Sequence, residues 1–124
     1  MSVGPRRVDV CNGDADGLCA VLQWRLHAPA PSTLVTGLKR DIELLRQVDP
    51  GTADEVLVCD VSMLRNHAAL LRLLAGGATV RWFDHHVAPN PLPASPALQA
   101  HLDFDRDACS SLLVDRFLNG QFRA

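Results

Sequence analysis

Apolar and polar positions alternate over residues 7–11 (Arg-Val-Asp-Val-Cys), the two-residue period of a short strand. From 16 to 27 apolar side chains recur along a helical stretch that must stop before Pro29 and Pro31. The unit then repeats. Residues 33–36 predict a second strand, and Ile42, Leu44, Leu45 and Val48 a short helix ending before Pro50. Residues 55–60 are nearly continuous in apolar side chains, as in a parallel strand covered on both faces, and the run ends on Asp60. A helix over about 62–75, with Leu64, Ala68, Leu71 and Ala75 on its inward face, stops at Gly76-Gly77. Residues 78–83 form a fourth strand that runs into Asp84-His85-His86. Four of the eight prolines fall between Pro89 and Pro96, which predicts a stiff extended loop. A last helix over about 108–119 turns Leu112, Leu113 and Phe117 inward.

This alternation specifies an α/β fold: a mostly parallel sheet of about four strands with helices on both faces, one domain over residues 1–124. A chain of that length buries about two-thirds of its extended surface and needs no disulfide or metal staple. Twelve basic against fourteen acidic residues give a net charge of −2, which argues against an electrostatic grip on long nucleic acid or anionic membrane as the main source of affinity. No run approaches the ~20 apolar residues of a membrane span, and the N-terminus lacks a signal-peptide core, so the expected compartment is the cytoplasm. Cys11, Cys19, Cys59 and Cys109 form no Cys-x-x-Cys pair and read as small buried hydrophobes; Trp24 and Trp82 read as core.

In such sheets ligands bind beyond the carboxyl ends of the strands. There the first strand is followed by Asn12-Gly13-Asp14-Ala15-Asp16-Gly17, the third ends in Asp60 and the fourth in Asp84-His85-His86. Carboxylates about 5 Å apart repel by about 3 kcal/mol per pair at an effective dielectric near 20, so their convergence implies a compensating cation. Oxygen ligands with one or two imidazoles suit Mn²⁺ or Mg²⁺. Plainer readings stand beside this one: Asp14 or Asp16 caps the first helix, and Asp60 caps the helix that follows it.

Asp14-Ala15-Asp16, Asp60 and Asp84-His85-His86, in that order on α/β elements, resemble the first three motifs of the DHH phosphoesterase family. The resemblance implies that Asp14 and Asp16 bind different metals, that Asp60 bridges them, and that His85 is a ligand of the second. It implies His86 facing substrate phosphate, Asp84 orienting a His, and a cofactor of two Mn²⁺ ions, with Mg²⁺ as substitute. The activity implied is hydrolysis of a nucleotide-type phosphomonoester or phosphodiester by metal-activated water. Asn12 stands where many members carry a His and is a weaker, neutral ligand. The family's fourth motif, an Asp on a later strand, has no counterpart after Phe117, so the chain is expected to be the N-terminal part of a longer domain.

Near-neutral charge favours a small nucleotide or short oligonucleotide as partner, with no membrane, and leaves room for a homo-oligomer. Lys39 and Arg40 after the second strand, and Ser110 and Ser111 at the start of the last helix, are candidate substrate-phosphate ligands; a solvated pair and plain helix caps are the alternatives. Asp103, Asp105 and Asp107 are expected to cap the last helix, since Ala108 and Val114 spoil a calcium loop. Three rival readings remain: a receiver-like domain phosphorylated on Asp60, a haloacid-dehalogenase-like phosphatase with Asp14 as nucleophile, and a catalytically incomplete fragment with a binding or regulatory role. The first lacks a lysine on a late strand, and the second finds Leu18 where its loop needs Thr.

Overall fold

The computed structural model describes residues 5–38, 42–105 and 108–121. Five strands, β1 (Arg7–Asn12), β2 (Ser32–Gly37), β3 (Glu55–Cys59), β4 (Thr79–Asp84) and β5 (Leu98–Leu102), form one sheet in the order β2-β1-β3-β4-β5. Every neighbouring pair is parallel. Helices α1 (Ala15–His27), α2 (His67–Ala75) and α3 (Ser110–Phe117) and a 3-10 turn at Leu44–Gln47 make the connections and flank the sheet. No helix among the described residues is long and apolar enough to cross a membrane.

Strand alternation divides the core in two. Val10, Val58, Val80 and Trp82 point to the face covered by α2 and the 3-10 turn, where Leu44, Leu45, Met63, Leu70 and Leu73 meet them. Cys11, Leu57, Cys59 and Phe83 point to the opposite face, where Ala20 and Val21 of α1 and Val114 of α3 cover them and Trp24 packs alongside. The Trp82 indole N–H is satisfied by the Val61 carbonyl at 2.9 Å.

Several expectations are corrected. The sheet has five strands rather than about four; Leu-Gln-Ala-His-Leu carries little strand signal because its alternation is short and follows a proline-rich segment. α2 begins at His67, five residues later than about 62, and buries Ala69, Leu70 and Leu73, whereas Leu64, Ala68, Leu71 and Ala75 lie exposed. Asn66 sets that rotation: its side-chain amide donates to the Ile42 and Ser62 carbonyls at 2.7 and 2.8 Å and accepts from Leu45 N–H at 3.1 Å. In α3, Val114 is buried while Leu112 and Phe117 are exposed. Cys11 and Cys59 are buried as expected, but Cys19 is exposed and Cys109 half-buried.

β1 feeds α1 and then β2 on one side of the sheet, whereas β3 lies on β1's other side, so the chain reverses direction between β1 and β3. The crevice of an open α/β sheet forms at such a reversal. Asp14 and Asp60 follow the two strands that flank it.

Candidate metal centre at the strand ends

The loop after β1 is shaped by close backbone approaches. Gly13 N–H donates to the Gly37 carbonyl at 3.0 Å, and a Cβ at Gly13 would sit 2.6 Å from that oxygen. A Cβ at Gly17 would fall 2.5 Å from the Asn12 carbonyl. Only glycine lets the first turn of α1 tuck against the end of β1, and this places Asp14 and Asp16 over the rim.

Asp14 is the N-cap of α1, its carboxylate accepting Gly17 N–H at 3.0 Å. Asp16 caps a different helix. Its two oxygens accept the backbone N–H groups of Ser110 and Ser111, at 2.9 and 2.8 Å, at the start of α3. Asp103 does not cap α3: its carboxylate accepts Asp105 N–H and an Arg116 guanidinium contact, while the Asp105 carbonyl accepts Ala108 N–H. Asp107 lies outside the described residues, as do Lys39 and Arg40.

Asp60 follows β3 with φ of 62°, a left-handed conformation uncommon for a residue with a side chain and more frequent for Asp. It does not cap a helix. It is 4% exposed, and its carboxylate meets the Ser110 hydroxyl at 3.1 Å and His85 Nε2 at 3.1 Å. Burial, followed by the charges of Asp16 and Asp14 and a hydrogen bond to Asp14, pushes its acid up to about 7. Asp16 moves the other way. Burial raises its pKa, but the Ser111 N–H and hydroxyl, Ser110 N–H and Asp60 together hold it below the usual carboxylate value. Asp84, 1% exposed at the end of β4, is raised by burial, and its Oδ1 holds His86 Nδ1 at 2.7 Å.

The structure therefore brings Asp14, Asp16, Asp60, His85 and Ser111 to the walls of one open cleft of about 530 Å³, together with Asn12, His86, Cys19 and Cys109. Ligand atoms of Asp60, Asp84, His85 and His86 all lie within 4.8 Å of one another, a cluster capable of coordinating a metal ion. Asp84 and His86, which the resemblance places beyond the ions, thus lie close enough to Asp60 and His85 to offer ligand atoms to the same ion. Two buried oxygens at the site, Asn12 Oδ1 and Asp84 Oδ2, lack a hydrogen-bond partner. Orphaned acceptors beside crowded carboxylates are what a hard cation satisfies.

Asn12 Oδ1 joins this inventory at the end of β1, where sequence alone made it a weak ligand. The N–H groups at the start of α3 are engaged by Asp16, an anion supplied by the chain itself. Asp103, just past β5, is a further acid at a strand end, but its carboxylate is turned to Arg116 at 3.3 Å. No protein-family model and no curated protein matches the chain.

Proposed function

We propose that this chain is a DHH-type phosphoesterase domain that hydrolyses a phosphomonoester or phosphodiester of nucleotide character with the help of two divalent cations, Mn²⁺ or Mg²⁺. The observation that carries the reading is the convergence on Asp60: three strand ends contribute to one rim, and its carboxylate sits against those of Asp14 and Asp16 and against His85. In this reading Asp14, Asp16, Asp60 and His85 hold the ions. Each bound cation would lower the pKa of coordinated water and offset charge on the transferred phosphoryl group.

The remaining work falls to the chain itself. Asp84 fixes His86 through Nδ1, leaving Nε2 as the ring's free polar atom on a half-exposed side chain that lines the cleft. His86 then binds and orients the substrate phosphate. Asp16 is held in its ionised form by the α3 N–H groups, which fix the orientation of its carboxylate at the rim of the cleft. Ser110 holds Asp60 through its hydroxyl, so its role is to position a ligand.

A second reading has an observation of its own. The four-residue group Asp60, Asp84, His85 and His86 surrounds a single position, as suits one ion held without turnover in a binding or regulatory domain. Hydrolysis of p-nitrophenyl phosphate, bis-p-nitrophenyl phosphate and a dinucleotide, each with and without Mn²⁺, separates the two. Phosphoesterase action predicts Mn²⁺-dependent product release that is lost in Asp60→Ala. Release that survives this substitution overturns the assignment of Asp60, and ion binding with no hydrolysis of any of the three favours the binding domain.

A further inference from the structure

At the opposite, amino-terminal end of the strands, on the α1/α3 face, lies a second cavity of about 370 Å³ whose lining includes Arg7, Asp9, Trp24, Glu55, Arg81 and Gln99. The sheet register sets out its floor: Asp9, Leu57, Arg81 and Gln99 lie side by side across β1, β3, β4 and β5. Leu57 and Gln99 are therefore the lateral neighbours of Arg81, and neither carries a charge.

The other charges in the cavity are matched. Asp9 is taken by Arg25 Nε at 2.7 Å and by the Ser32 hydroxyl at 2.9 Å. Arg7 donates to the Ala28 carbonyl at 2.6 Å and lies 4.0 Å from Glu55. Arg81 has no acidic partner among the described residues, and its Nη1 is buried without an acceptor. What surrounds it is aromatic: its guanidinium carbon lies 4.7 Å from the Trp24 ring centre and 5.1 Å from that of Phe117. Ring faces stabilise the charge but leave the in-plane N–H fork free, and that fork matches two oxygens of a carboxylate or phosphate. Burial lowers the Arg81 pKa with no acid opposing it, as expected of a cation lacking its counter-charge.

We propose that this cavity is an oxyanion-binding site, separate from the acidic cleft, in which Arg81, packed against the rings of Trp24 and Phe117, grips a carboxylate or phosphate group. The ligand must carry negative charge because Asp9 is held by Arg25 from beside the cavity and Glu55 lies against Arg7, which leaves Arg81 as the charge without a counter-ion among the described residues. It must be small because the space is small. Trp24 supplies a wall for any flat or apolar part attached to the anion.

The chain contains two tryptophans, and the second is a built-in control: Trp82 faces the other side of the sheet and is bonded to Val61. Inorganic phosphate, acetate and chloride at equal ionic strength would be titrated into the chelator-treated protein, with indole N–H and Arg81 Nε–H resonances followed by NMR. The expected result is a saturable shift of Trp24 and Arg81 with phosphate, acetate or both, at a Kd of about 1 mM or tighter, with Trp82 still. Arg81→Gln should weaken that binding about tenfold or more, and Asp60→Asn should leave it unchanged. Comparison of the phosphate and acetate arms identifies the preferred anion. A response no larger than with chloride, one that persists in Arg81→Gln, or one abolished by Asp60→Asn overturns the proposal. Should Arg81→Gln not fold, the wild-type Arg81 resonance decides alone: failure to saturate overturns the site.

Discussion

The carboxylate of Asp16, in the first turn of α1, accepts the backbone N–H of Ser110 at 2.9 Å, a contact spanning 94 residues that makes an acid of one helix the cap of another. The acid that reaches the cleft thereby also locks α3 against α1. Ser110 in turn bonds Asp60 at 3.1 Å, so helix docking and site geometry share one network.

Asp16→Ala should therefore loosen α3 as well as weaken cation binding. Loss of an N-cap costs about 1–2 kcal/mol, so hydrogen exchange at Ser110 and Ser111 should quicken about tenfold, read by NMR. Asp14→Ala, whose cap serves α1, should leave those two amides protected. Equal protection of Ser110 and Ser111 in Asp16→Ala and wild type would contradict the contact.

Asn66 is 1% exposed, ties α2 to the segment around the 3-10 turn through two hydrogen bonds, with Ile42 and Leu45, and holds the Ser62 carbonyl through a third. Asn66→Ala leaves buried carbonyls and an N–H without partners and should cost about 2–4 kcal/mol in urea unfolding. A cost under about 0.5 kcal/mol, typical of a surface change, would show that the network carries no weight.

The pH dependence has a definite sign. Asp60 titrates near 7 in the folded chain against an ordinary 3.8, so between those values the folded state holds a proton that the unfolded state has released. Its contribution to stability is present below about pH 4 and is lost as pH rises through about 7. Metal-free protein should melt at a lower temperature at pH 8 than at pH 5.5, and Asp60→Asn, which removes the charge, should raise the melting temperature at pH 8. A lower melting temperature for Asp60→Asn at pH 8 would instead mark Asp60 as a stabilising structural acid.

Four strands and the chemistry at their ends were legible because parallel strands carry dense apolar runs and the acids and imidazoles follow them directly. Asp60 and the Asp84-His85-His86 triplet stand where that pattern predicts. What escaped depends on distant partners. β5 is short and carries Gln99 and His101 on its second face, so no apolar run announces it. The expected stripe Leu64, Ala68, Leu71 and Ala75 fits helical spacing as well as the buried set Ala69, Leu70 and Leu73, and the choice rests on contacts distant in sequence, among them the bonds of Asn66. That Asp16 caps α3 rather than α1 could not be read from its neighbours.

The central claim is that side chains from three strand ends share a divalent cation, and calorimetric titration of Mn²⁺ into chelator-treated protein at pH 7.5 tests it most directly. The account predicts saturable binding that is abolished by Asp60→Asn and weakened at least about tenfold by His85→Ala. No binding to the wild-type chain, or equal binding by Asp60→Asn, would contradict it.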